Sequence, residues 1–338
     1  MSELFIVGGT ARCGSTNDQM WRSCDKASLL GIDLDTLEVE KVIEYISPSD
    51  ACSDETPAII FKTGTLQGNL LYLCTETELL IYDPKNFSVK NYISLPYFND
   101  LHHIAPTRDG TYLVAVTGLD MVAEVTPEGK TINEWDVLGN NTWDRFSKTT
   151  DYRKIPSTKP HIAHPNFVFT IGDDIWTTRC NKKDAQCLTD FGKKIDLSGK
   201  GIRNVSLSHD GIFHNGDIYF TSVDGNILIA DQSSLKVWDI INIGEFLDAV
   251  NPLGWCRGIK FLDEQRLIVG FSRLRATKFK NTVRWVKAQM KTMTGLESHR
   301  KSFPPMPSRI CCLNLKTNEQ EWQINLEKYG MNAVFSIL

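Results

Sequence analysis

Six times in 338 residues, a short run of β-branched and aromatic residues ends in small polar ones and is followed by two more such runs. The first members are SELFIVGGT (2–10), GNLLYLCT (68–75), DGTYLVAVT (109–117), GDDIWTTR (172–179), NGDIYFTS (215–222) and EQRLIVGFS (264–272). The second members are SLLGIDL (28–34), ELLIYD (78–83), DMVAEVT (120–126), AQCLTDF (185–191), GNILIAD (225–231) and RICCLNL (309–315). Gly, Asp, Asn or Pro bounds each run, which marks strands joined by tight turns. Five of the six groups also have a strand in front. The first has none, and NAVFSIL (332–338) is a strand with no later partner. The pattern predicts an all-β fold, a single six-bladed β-propeller over 1–338. The C-terminal strand is expected to close the ring by joining the blade that contains 2–47. Each blade buries both faces against its neighbours, and closure leaves no open edge. A β-sandwich or a pair of β-domains is the competing fold, and it leaves the terminal strand unexplained.

The bulk properties narrow the function classes. With 41% hydrophobic and 23% charged residues the chain has material for a core. Its net charge of -4 gives no reason to expect nucleic acid as a partner. LFIVGG near the start reads as a strand rather than a signal peptide. No apolar run approaches the roughly 18 residues of a membrane span, so no transmembrane segment is expected. The nine cysteines include no CxxC pair, which suggests reduced thiols and a cytoplasmic location.

The loops differ by face. The turns between first and second strands, and between third and fourth, are short. The long excursions, 10–27, 48–57, 139–163 and 273–308, all fall on the opposite face, where the innermost strands begin. Segregated long loops mark that face as the functional one. Alignment of the blades brings HHIAPT (102–107), HPNFVF (164–169), HDGIFH (209–214) and CRGIKF (256–261) into register there. His102 or His103, His164 and His209 therefore open three consecutive innermost strands, with His161 just upstream. Strand alternation allows only one of His102 and His103 to face the axis, and His103 is the one assigned to it. His103, His164 and His209 are the expected ligands of a divalent metal such as Zn, Fe or Mn, with His102 or His161 as supporting groups. The alternative is a metal-free polar pocket that binds substrate or water. No motif for a nucleotide cofactor is present.

GWCRGIKF brings Trp255 and Arg257 to the same ring, where a guanidinium can grip a carboxylate or phosphate. IRNVS supplies Asn204 and FKTG supplies Lys62. Arg12, Arg179 and Arg273 follow second strands and are expected at the rim, where together they suggest an anionic ligand. No carboxylate pair with acid/base spacing stands out in these strand mouths.

The insert 273–308 in the last blade carries nine Lys or Arg against one acid, Glu297. Val283, Val286, Met290 and Met293 fall near helical spacing, with Arg284, Lys287 and Lys291 elsewhere on the turn. A basic, partly helical lid or docking element for an acidic carrier protein is one reading. A helix that packs its apolar side on the propeller and solvates its charges is the other.

With these residues in hand, the chain resembles the six-bladed propellers grouped around strictosidine synthase, gluconolactonases and the NHL-repeat lyases. GWCRGIKF, LIVGFSRLR and HPNFVFTIGDDIWTTR are also similar to stretches of an uncharacterised bacterial propeller family over about four blades. That second resemblance implies a fold and not a reaction. In the first group, the peptide-amidating lyases hold a metal through histidines at the propeller axis, which resembles the set proposed above. The Glu, Asn and Asp of gluconolactonases have no clear match. Fold does not dictate function, so two expectations stand. One is a small-molecule enzyme, a lyase, hydrolase or cyclase of specialised metabolism. It would act on an anionic substrate through His102, His103, His164, His209 and Arg257, with Lys62, His161, Arg179, Asn204, Trp255 and Arg273 binding it. The other is a non-catalytic scaffold that docks an acidic protein on the long-loop face.

Overall fold

The computed structural model describes residues 3–13, 23–247, 253–274 and 306–338. The described strands form six four-stranded antiparallel sheets, each a blade, arranged as a ring. The innermost strands of blades 2 to 6 are Thr65–Gln67, Leu101–Pro106, Pro165–Ile171, Ser208–His214 and Trp255–Phe261. Blade 1 takes its innermost strand from the end of the chain: Ala333–Ile337 pairs with Glu3–Ala11, which continues into Cys24–Asp33 and Val39–Tyr45. The expected ring closure is therefore present.

Among the described residues, an apolar cluster lies at each interface between neighbouring blades. Leu71, Leu73 and Leu80 of blade 2 pack on Phe5, Val7 and Leu29 of blade 1. Val114 and Met121 of blade 3 meet Cys74 and Ile81 of blade 2. The series continues through blades 3/4, 4/5 and 5/6. It closes where Ile268 and Ile310 of blade 6 meet Ile6 and Leu30 of blade 1. Both faces of the inner strands are buried this way, whereas the outermost strands alternate, as in Val39–Tyr45 with Glu40, Lys41 and Glu44 exposed or half-exposed.

Two of the long connections, 48–57 and 139–163, lie wholly within the described residues and are tied together. Lys154, in the 139–163 connection, ties itself to the 48–57 connection through Asp54 at 2.9 Å and the carbonyls of Ser49 and Cys52. Asn99 donates from its amide to the carbonyls of Tyr152 and Ile155, both at 2.8 Å, which anchors 139–163 over blade 3. The basic insert lies outside the described residues except for 273–274 and 306–308, so its helix, lid or docking role has no counterpart among them. No described helix is long and apolar enough to cross a membrane.

Candidate functional site

The innermost strands are irregular at the same level in five blades. In blade 3, Leu101 pairs with Val116 and His103 with Ala115, which leaves His102 as an extra residue. The same insertion occurs at Asn166 in blade 4 and at Asp210–Gly211 in blade 5. It recurs at Arg257–Gly258 in blade 6 and at Phe335 in blade 1. A bulge re-aims the extra side chain out of the regular pleat. Three of these side chains, His102, Arg257 and Phe335, meet one another. The Arg257 guanidinium lies 4.5 Å from the Phe335 ring centroid, and Lys62, from blade 2, lies 4.9 Å from it. His102 stands 6.3 Å from the same ring.

Beside this ring is a compact polar cluster around Asp100, which precedes the blade 3 strand in a left-handed conformation (φ 47°). Lys62 Nζ is 3.2 Å and Lys159 Nζ 3.6 Å from its carboxylate. His102 Nδ1 is 3.5 Å and His161 Nδ1 3.8 Å from it. Lys62 also pairs with Glu76 at 2.8 Å. His161 Nδ1 and His164 Nδ1 lie 3.0 Å apart, so one donates and the other accepts. The His164 ring contacts His102 at 4.7 Å and approaches His209 at 6.4 Å between centroids. The Asn166 amide donates to His209 Nδ1 at 2.9 Å, which leaves the ring proton on Nε2, 3.8 Å from Cys180 Sγ.

Asp120 builds the segment that presents these imidazoles. It closes a short 3-10 turn in blade 3, and its carboxylate accepts the N–H groups of Ile162, Ala163 and His164 at 2.8, 3.0 and 2.8 Å. That grip holds His164 in the left-handed region (φ 58°) that few side chains adopt unaided. Arg145 pairs with Asp120 at 3.3 Å from its other side.

Burial sets the electrostatics. Burial holds His102, His164 and His209 well below the ordinary imidazole value and lowers His161 as well, so these rings are neutral near pH 7. The neighbouring cations reinforce this, Lys62 for His102 and Arg257 for His209. Burial pushes Asp100 upward, but Lys159 and Lys62 outweigh it and keep the group well below the usual carboxylate range. Glu76 goes the other way: burial, opposed by Lys62, raises it to about 7. Two carboxyl groups bridged by one ammonium therefore favour different protonation states, an arrangement suited to acid/base exchange. The sequence reading recognised no such pair, because Glu76 comes from a turn in blade 2 and Asp100 from the entry to blade 3.

The expected residues separate into three groups. His102, His161, His164, His209, Lys62, Trp255 and Arg257 converge on the axial cluster. His103 does not: its ring stacks on Phe167 at 3.8 Å, Nδ1 accepts from Val168 N–H at 3.0 Å, and Nε2 meets Thr65 Oγ1 at 3.1 Å. The bulge reverses the expected parity, so His102 faces the axis and His103 is wedged between blades. The metal set His103, His164 and His209 is therefore not assembled. Arg179 and Arg273 are spent on structure, each pairing through two nitrogens at 2.7 Å, with Asp184 and Glu327. Asn204 is exposed and makes no contact with this cluster. Asp100, Glu76, Lys159, Cys180 and Phe335 were missed. Only Asp100 left a sequence signal, as the acid just before the paired histidines in NDLHH.

Asp100, His161 and His164 offer three ligand atoms within 4.8 Å of one another. Asp100 Oδ2 has no hydrogen-bond partner, and this donor set suits a borderline or hard divalent ion. The two lysines on the same carboxylate weaken its hold on a cation.

No family model matches the chain, and no curated protein matches it. Solved structures do. A protein of unknown function from Bacteroides caccae is similar with a TM-score of 0.55 and 13% identity, over 100% of this chain and 98% of that one. A chain of a nidogen/laminin complex is similar with a TM-score of 0.53 and 8% identity, over 99% and 97%. Likeness at such identity extends to the whole ring of blades and stops at the fold.

Proposed function

We propose that the protein is an enzyme that converts a small anionic molecule at the axial cluster, with neutral imidazoles as its acid/base groups. The observation that carries this reading is the chain of contacting side chains Glu76–Lys62–Asp100–His161–His164–His102. It links a carboxyl group raised to about 7, the range that suits proton exchange near neutral pH, with rings held neutral and so able to relay a proton between their two nitrogens. His164 is half-buried and Lys159 partly exposed, so a ligand arriving at the long-loop face meets them first. The reaction class that suits these groups is a lyase, hydrolase or cyclase step driven by proton movement.

The test is untargeted. Purified protein is incubated with a cellular metabolite extract, and depletion and accumulation are followed by mass spectrometry for wild type and His164→Asn. Loss of a positioned acid/base group costs roughly 100- to 10,000-fold in rate, so conversion seen with wild type should vanish in the variant. Equal profiles for wild type, variant and no protein would sink the enzyme reading.

A second reading is favoured by the Asp100, His161 and His164 donor atoms: a bound Zn, Fe or Mn at the same cluster. Elemental analysis of untagged protein, beside a His161→Ala/His164→Ala double variant, separates the two. About one equivalent of metal lost in the variant selects the metal reading. A metal-free wild type that still converts substrate selects acid/base chemistry alone.

A further inference from the structure

Arg257 is the one buried arginine among the described residues that has no acceptor. It is 8% exposed and its Nε is fully enclosed without a hydrogen bond. The other buried arginines each have acceptors in the fold, although Arg309 Nε and Nη2 also lack a partner. Arg179 has Asp184 and the Val137 carbonyl, and Arg309 donates to the carbonyls of Leu253 and Pro307. Arg257 instead lies over two rings, Phe335 at 4.5 Å and Trp255 at 5.0 Å. Asp210 is the carboxylate that acts on it most strongly, but the two form no ion pair, and Asp210 Oδ2 is already taken by the Thr221 hydroxyl at 2.5 Å and the Gly258 N–H at 3.0 Å. A buried charge without a partner is costly, and a polar or apolar residue would fill this position more stably.

We infer that Arg257 is the receptor for a carboxylate group of the ligand, taken bidentately in the plane of the guanidinium. This deepens the reading of the axial cluster as a small-molecule site and rests on it. Both rings lie close to the guanidinium without supplying a carboxylate or carbonyl acceptor, so its Nη groups keep their N–H donors for a ligand. A carboxylate is planar and matches two parallel N–H groups. It also brings one negative charge to one uncompensated cation, because Lys62 is already matched by Asp100 and Glu76. A phosphate dianion would bring a second buried charge with no equally buried partner. Burial draws Arg257 down to about 10, still protonated at neutral pH and ready to bind. With the carboxylate held at Arg257, the rest of the ligand lies toward His102, His209 and the Asp100 cluster.

Thermal unfolding tests this with wild type, Arg257→Gln and Arg257→Lys, in acetate, oxalate, glutarate and inorganic phosphate against sodium chloride of equal ionic strength. Without ligand, Arg257→Gln should unfold at the same temperature as wild type or higher, since it removes an unpaired buried charge. At least one carboxylate should raise the wild-type midpoint by about 2 °C or more. The rise should shrink in Arg257→Lys, which keeps charge but loses the fork, and vanish in Arg257→Gln. A ligand-free midpoint several degrees below wild type in both variants, or failure of both to fold, would make Arg257 structural and overturn the inference. Stabilisation by phosphate but by no carboxylate would overturn it too. Turnover plays no part in this measurement. Carboxylate binding by a protein that converts nothing would leave the inference standing and remove the enzyme reading; conversion of a substrate without a carboxylate would do the reverse.

Discussion

His102 and His103 are adjacent, equally buried and chemically identical, yet they have different duties. His103 accepts a backbone N–H, contacts Thr65 and stacks on Phe167, so it joins blade 3 to blades 2 and 4. His103→Ala removes a buried ring and leaves the Val168 N–H without its acceptor. The expected loss is roughly 3 kcal/mol of stability. His164→Ala removes a half-buried ring whose partner is another imidazole, and should change stability by no more than about 1 kcal/mol. Urea unfolding followed by tryptophan fluorescence reads both. Equal losses would mean that the two histidines do not divide structure from site in this way. The sequence showed that only one of the pair faces the axis, because strand alternation demands it. It assigned the wrong one, because a single bulged residue shifts parity for everything before it, and no residue in LHHIAP marks the bulge. Asp100, Glu76 and Lys159 were hidden for a different reason. They lie in turns and loops from separate blades, and only the closed ring brings them together.

At the scale of elements, ring closure was the most legible feature, since a strand with no later partner can only go back to the start. What it demands of its neighbour was not legible. Gly8 sits against Ala333 so closely that an added Cβ would fall inside the Ala333 carbonyl group. Gly8→Ala must push the terminal strand off blade 1, separating Val334 and Ile337 from Ile268 and Leu4 in the cluster that joins blades 6 and 1. A cost on the order of 2–4 kcal/mol is expected. Gly192→Ala, in an exposed turn where the nearest atom is Asp190 Oδ1 at 3.2 Å, provides the control and should be close to neutral. Thermal midpoints that fell equally in the two variants would show that closure does not depend on this approach. The bulges are the elements' second contribution. They recur at one level in five innermost strands, and through them a regular ring of sheets brings His102, Arg257 and Phe335 together.

For the whole molecule, the buried imidazoles govern how stability responds to acid. His102, His103, His164 and His209 are each held below the ordinary value of 6.5 by burial, His103 to about 3, and His161 is lowered as well. In the unfolded chain these rings take up protons below about 6.5; in the fold they resist. The unfolded state therefore binds more protons in this range, and stability falls as pH drops below about 6.5. Each ring contributes up to about 1.4 kcal/mol per pH unit while the unfolded form is protonated and the folded form is not. Glu76 opposes them. Its folded value near 7 lies above the ordinary 4.5, so on its own it makes the fold more stable as pH falls from about 7 toward 4.5. Asp210, raised by burial to about 6, acts in the same direction as Glu76; five imidazoles act against these two carboxyl groups, and the imidazoles should win. Urea midpoints measured at pH 7.5, 6.5 and 5.5 should decline, with the steepest drop below 6.5. The decline should ease in His103→Gln, which removes one proton-binding group from the balance and retains a polar side chain at the blade interface. A midpoint that rose on acidification would mean that the rings are charged inside the fold, and the neutral acid/base cluster at the axis would have to be given up with them.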